Sequence, residues 1–148
     1  MRKMKSIGIL ETIALETARQ NSYLYLLIEK ILVEKRCDWL QCQIVENELY
    51  AKGYLNSKND GKKYQILIKY SYFYPGRFDR IWIIEPHIKY HPKIHMYYNQ
   101  TLCLYYPKDL PITRITPLAR MLPWISEWVV KYEFWKKYKV WLGEEVSH

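Results

Sequence analysis

Tyr90–Pro107 reads YHPKIHMYYNQTLCLYYP, and the rest of the chain is arranged around it. It carries one cysteine, Cys103, between Leu102 and Leu104, with His91-Pro92 twelve positions before it and Pro107 four positions after it. A lone thiol in an apolar and aromatic frame, after a polar turn, is either a small buried hydrophobe or a nucleophile. Chemistry alone puts the inert alternative ahead, because free cysteine is among the most buried residue types. His87, His91 and His95 stand four apart in front of it. On a helix those imidazoles would share a face and could hold zinc. Pro92 inside the span and Pro86 before it predict an extended loop instead, so the spacing carries no weight and no metal site is expected.

Upstream, from Cys37 to Pro86, the pattern is one of strands and short turns. Trp39–Val45 stops at the tight polar turn Glu46-Asn47-Glu48, and Leu49–Leu55 follows. Asn56–Gly61 holds an Asn-Asp-Gly turn signal. Tyr64–Tyr72 alternates, with Tyr64, Ile66, Ile68 and Tyr70 on one face and Gln65, Leu67, Lys69 and Ser71 on the other. Pro75-Gly76 marks the next turn, and Arg80–Ile84 is a last strand closed by Glu85-Pro86. Four strands on short connections predict an antiparallel meander with one face covered by helix. The first 36 residues supply that helix: Leu10, Ile13, Ala14 and Ala18, then Leu24, Leu27, Ile28, Ile31 and Leu32, recur at helical spacing. Asn21-Ser22 can cap a second helix at Tyr23, so one bent helix or two fit equally.

Downstream, Thr116-Pro117 predicts an N-cap followed by proline at the first helical position. Pro123 repeats the signal and is expected to open a longer helix. Trp124, Trp128, Tyr132, Trp135 and Lys139 fall along one stripe of that helix. A stripe this aromatic is core or interface, and Trp124, Trp128 and Trp135 are the candidate partner-binding residues.

The 148 residues suffice for one domain that buries about two-thirds of its unfolded surface. Three cysteines form no even framework and fit a reducing cytoplasm; Cys37 and Cys42 read as core or bystander residues. Glu11 cuts short any apolar run after Arg2, Lys3 and Lys5, and Glu29 and Lys30 interrupt the greasiest stretch, so neither export nor membrane insertion is expected. The net charge of +8 means either solvated lysines or a partner of acidic character. Lys-Tyr alternation in Lys62–Tyr72 and Lys131–Lys139 could stack bases, but no nucleic-acid module accompanies it, and nucleic acid is not the expected partner. Five glycines are scattered singly, with no phosphate loop among them. The chain is therefore not expected to activate a carboxyl group with ATP by itself, and no cofactor is expected.

The order helix, four-stranded meander, His-Pro loop, short turn, Leu-Cys-Leu and C-terminal helices resembles that of ubiquitin-conjugating enzymes. His91-Pro92-Lys93 resembles their His-Pro-Asn motif, and Thr101-Leu102-Cys103-Leu104 their thioester-forming segment. The run Leu102 to Tyr105, Tyr106-Pro107, Leu122-Pro123-Trp124, Ser126-Glu127-Trp128, Tyr132-Glu133, Trp135 and Trp141-x-Gly143-Glu144 to His148 is similar to a bacterial branch, the stand-alone conjugating proteins of CBASS antiphage operons. The resemblance implies an α+β ubiquitin-conjugating (UBC-like) fold as one domain, 1–148. It divides into a helical N-terminal segment over 1–36, a meander over 37–86, an active-site loop over 87–115, and C-terminal helices with a tail over 116–148. It further implies Cys103 as nucleophile and a cGAS-like nucleotidyltransferase as partner, whose C-terminal carboxyl group becomes linked to the cysteine.

Thioester chemistry needs a thiolate, so Cys103 is expected to be reachable from solvent, and any of the basic residues nearby in sequence (Lys93, Lys108, His91, His95) that lies close could favour its ionised form. The family's histidine shapes the loop, a role that falls to His91. Its asparagine stabilises the oxyanion formed as an amine attacks; here Lys93 replaces it, which leaves His95 first and Asn99 second as donor candidates. Two other classes stay open: a silent binding module of the same fold, and a basic nucleic-acid-binding domain.

Overall fold

The computed structural model describes Ile9 and residues 21–71, 79–105 and 118–143. The expected helix before Asn21, the Pro75-Gly76 turn, Tyr106-Pro107, Lys108, the Thr116-Pro117 cap and the Glu144–His148 tail lie outside these residues. The element order is α1 (Ser22–Arg36), β1 (Leu40–Val45), β2 (Glu48–Asn56), β3 (Lys63–Ser71), β4 (Asp79–Glu85) and α2 (Leu118–Tyr138). The sheet runs β1-β2-β3-β4, antiparallel throughout. This is the α+β meander that the alternation and the turn signals predict.

Local chemistry sets each boundary. Asn21 is the N-cap of α1, its side chain accepting from Leu24 N at 3.1 Å, and Lys35 and Arg36 occupy the last turn, where cations suit the helix dipole. Glu46 and Asn47, at φ 50° and 62°, form the two-residue connection between paired Val45 and Glu48. Positive φ at both positions is the hairpin geometry that matches strand twist. On β3 the tyrosines and isoleucines Tyr64, Ile66, Ile68 and Tyr70 are buried against the helices. The Lys-Tyr alternation therefore splits across the sheet, with Tyr64 and Tyr70 inside, which removes the stacking platform it suggested on this strand.

Gly53 has a packing reason. It pairs with Leu40, and a Cβ built there would lie 1.8 Å from the carbonyl oxygen of Trp39. Gly53→Ala must push β1 away from β2, at a cost of about 1–3 kcal/mol. Thermal melts should show Tm lowered by roughly 3–12 °C; an unchanged Tm would mean that the close approach is absent in solution.

Pro123 does not open a helix: α2 is continuous from Leu118 to Tyr138, with the proline as its sixth residue. The proline removes one backbone bond, to the carbonyl of Ala119. Burial of Leu118, Ala119, Met121, Leu122 and Ile125 on either side of it carries the helix through. The start of α2 is held by a residue of α1: Glu29, completely buried, accepts from Leu118 N at 2.9 Å. Tyr25, whose hydroxyl lies 2.9 Å from that of Tyr70, also donates to Glu29. Glu29 thus ties α1, β3 and α2 together from within the core. No helix among the described residues is long and apolar enough to cross a membrane.

Candidate active site

The loop after β4 is fixed by what it buries. Ile88, Ile94, Met96 and Leu102 all enter the core. His91-Pro92-Lys93-Ile94 is a β-turn, Ile94 N donating to the His91 carbonyl at 3.2 Å, with proline at its favoured second position. Inside the turn His91 Nδ1 accepts from Lys93 N at 3.1 Å, and its ring packs against Trp135 with centroids 4.9 Å apart. The expectation of a non-helical segment around Pro92 holds. Among the described residues no group of three His, Cys, Asp or Glu side chains could hold a metal ion.

The segment then doubles back. Met96 and Leu102 form an antiparallel bridge, and Leu102 N donates to the Ile81 carbonyl of β4 at 2.8 Å. The tip is closed by Asn99, whose Oδ1 accepts from Thr101 N (3.1 Å) and Thr101 Oγ1 (2.6 Å) and whose carbonyl accepts from Trp82 Nε1 (3.3 Å). This register sets His95 opposite Cys103, and Cys103 N donates to the His95 carbonyl at 2.9 Å. Trp128 Nε1 reaches the carbonyls of Ile94 and His95, both at 3.0 Å. One indole of α2 therefore clamps Ile94-His95, the segment that lies opposite the cysteine.

Two sequence expectations are corrected at this point. Trp128, placed on a partner-facing stripe, is 3 % exposed and serves as an internal strut. Trp124 and Trp135 remain half-buried, against Tyr105 and His91 respectively. Cys103, expected to be reachable, is 4 % exposed; its Sγ donates to the Tyr105 carbonyl at 3.4 Å, between buried Leu102 and half-buried Leu104. The His95 ring stacks on Trp141 (4.9 Å, 13°), while its carbonyl accepts from Cys103 N. Trp141 was missed as a site residue. Its position after the end of α2 gave no sign that the chain folds back onto the loop.

The other two cysteines lie outside this loop. Cys37 is buried at the C-cap of α1. Burial, reinforced by the Glu34 carboxylate, pushes the Cys42 thiol up to about 12.

A helix-covered four-stranded meander, with a His-Pro turn and a cysteine strand added along its β4 edge, is the UBC-like architecture. Within it the chain belongs to the type II CBASS E2 proteins, whose family model matches residues 29–148. Neither a curated protein nor a solved structure matches the chain.

Proposed function

We propose that this CBASS E2-like protein is a cysteine-dependent conjugating enzyme of the cytoplasm, acting on the C-terminus of a cGAS-like nucleotidyltransferase and so regulating antiphage cyclic-nucleotide signalling. The Cys103 thiolate attacks the activated C-terminal carbonyl carbon, the activating group leaves, and a thioester forms. An amine nitrogen then attacks that carbonyl, the C–S bond breaks, the nitrogen gives up its proton to water, and the thiolate is regenerated. The observation that supports this reading most is the placing of Cys103: of the three cysteines it alone lies in the His-Pro loop, with its backbone fixed by His95 and, through it, by Trp128.

His91 holds the turn through Lys93 N. Asn99 and His95 are the donors for the tetrahedral oxyanion; with Oδ1 held by Thr101, Asn99 has its amide nitrogen to offer. Trp124 and Trp135, at either end of the loop, are the contacts for the partner. His95→Ala and Asn99→Ala are each tested for a thioester that forms normally but discharges ~10²–10³-fold more slowly, the usual cost of one lost oxyanion donor.

The burial of Cys103 favours a second reading, a silent binding module. One experiment separates the two. In cells expressing the whole operon, mass spectrometry should find an adduct on Cys103 that is cleaved by added thiol and is absent from Cys103→Ala. Partner modification that survives in Cys103→Ala sinks the enzymatic reading, and so does partner binding with no adduct on the wild-type chain.

A further inference from the structure

We propose that the cavity between the β2–β3 hairpin and the C-terminal end of α2 is a binding site for a nucleoside monophosphate. The cavity has a volume of about 690 Å³ and is lined by Lys62, Lys136 and Lys137, by Phe134 and Tyr138, and by Glu133 and Asp60 among others. That volume falls within the ~300–1,000 Å³ of ordinary small-ligand sites. The site shares no residue with the Cys103 loop and does not depend on it.

The charges in the cavity are arranged so that its cations are free for a ligand. Glu133 is engaged by neutral donors: Oε1 accepts from Ser57 Oγ (2.8 Å) and Asn59 Nδ2 (3.4 Å), and Oε2 from Tyr64 OH (3.1 Å). Asp60 Oδ1 accepts from Lys62 N at 2.9 Å. Among the described residues, neither carboxylate pairs with an ammonium group. Three lysines thus reach one cavity with their N–H donors available. Two of them lie over neighbouring rings, Lys62 over Tyr64 at 6.0 Å and Lys137 over Tyr138 at 5.2 Å.

A phosphate suits the lysines. Phe134 and Tyr138, with ring centroids 4.6 Å apart and Tyr138 exposed, offer an aromatic surface on which a base can stack. The carboxylates select among anions. Glu133 Oε2 and Asp60 Oδ2 have room for further donors, which ribose hydroxyls and a base amino group supply. An acidic peptide would set further carboxylates against these two and has no flat base for the rings.

AMP is the probe, measured by calorimetry on the full chain at low salt. Saturable binding with Kd below about 1 mM is expected. Lys136→Ala with Lys137→Ala should weaken it at least about tenfold, and Tyr138→Ala roughly three- to tenfold, as expected of lost phosphate and stacking contacts. All three positions are exposed, so Tm should be unchanged. The proposal is overturned if AMP shows no saturation up to about 5 mM, or if the lysine double variant binds as the wild type does. Inorganic phosphate or phosphotyrosine binding as tightly as AMP overturns it too, since neither carries the ribose and base that the carboxylates and rings would recognise.

Discussion

Trp128→Ala is expected to lower stability by about 3–5 kcal/mol, as large-to-small aromatic substitutions in cores do, and to loosen the Ile94-His95 segment to which Cys103 N is bonded. Two losses combine. The indole fills the space between α2 and the loop, stacked on Tyr132 at 5.3 Å and tilted against Trp141 at 5.8 Å. Its Nε1 also serves the Ile94 and His95 carbonyls; the latter keeps Cys103 N, but a buried acceptor such as the Ile94 carbonyl left without its donor costs about 1–3 kcal/mol. Trp128→Phe separates the two, since it keeps most of the ring and removes the N–H. Melts should show Tm reduced by roughly 10–15 °C in the alanine variant and by a fraction of that in the phenylalanine variant. Iodoacetamide should alkylate Cys103 roughly tenfold faster in the alanine variant, because opening of the covered strand becomes cheaper. A Tm and an alkylation rate both equal to wild type would show that the clamp does not hold in solution.

The same tryptophan shows where the sequence stopped being legible. Helical spacing identifies which residues share a stripe, and Trp124, Trp128, Tyr132 and Trp135 do. It does not say what lies across from that stripe. Here the neighbour is the protein's own His-Pro loop, so the central indole is sealed and its flanking ones are half-covered. The strands were easier to read because their signals are local: the period of two on β3, a two-residue polar turn at Glu46-Asn47, and proline after Glu85 each depend on near neighbours alone. At the site, the order of elements brought out Cys103 and His91. That the His95 carbonyl accepts from Cys103 N follows from a register that the sequence does not encode locally. Glu29 was misleading in a different way. A glutamate in an apolar helical run looks like a solvated break, and its burial makes sense only once α2 is seen to begin on it.

Glu29 should also give the protein an unusual pH dependence. Burial raises its carboxyl from about 4.5 to about 7, against the lowering effect of bonds from Leu118 N, Tyr70 and Tyr25. Its Oε1 has no hydrogen-bond partner, and the groups that bond to it are neutral, so no cation offsets a buried charge. The folded state therefore binds the proton more tightly than the unfolded chain does. The associated stability is fully present below about pH 4.5, falls as pH rises, and is gone above about pH 7. A difference of that size amounts to about 3 kcal/mol. Other groups titrate in the same range, so the informative quantity is the wild-type stability minus that of Glu29→Gln, from urea melts between pH 4.5 and pH 8. Glutamine keeps an oxygen for Leu118 N but cannot ionise. The difference should fall steadily with pH by about 3 kcal/mol and then level off, leaving the variant favoured at neutral pH relative to its standing in acid. Parallel curves would mean that water reaches Glu29, and that the junction of α1, β3 and α2 is open where the structure has it closed.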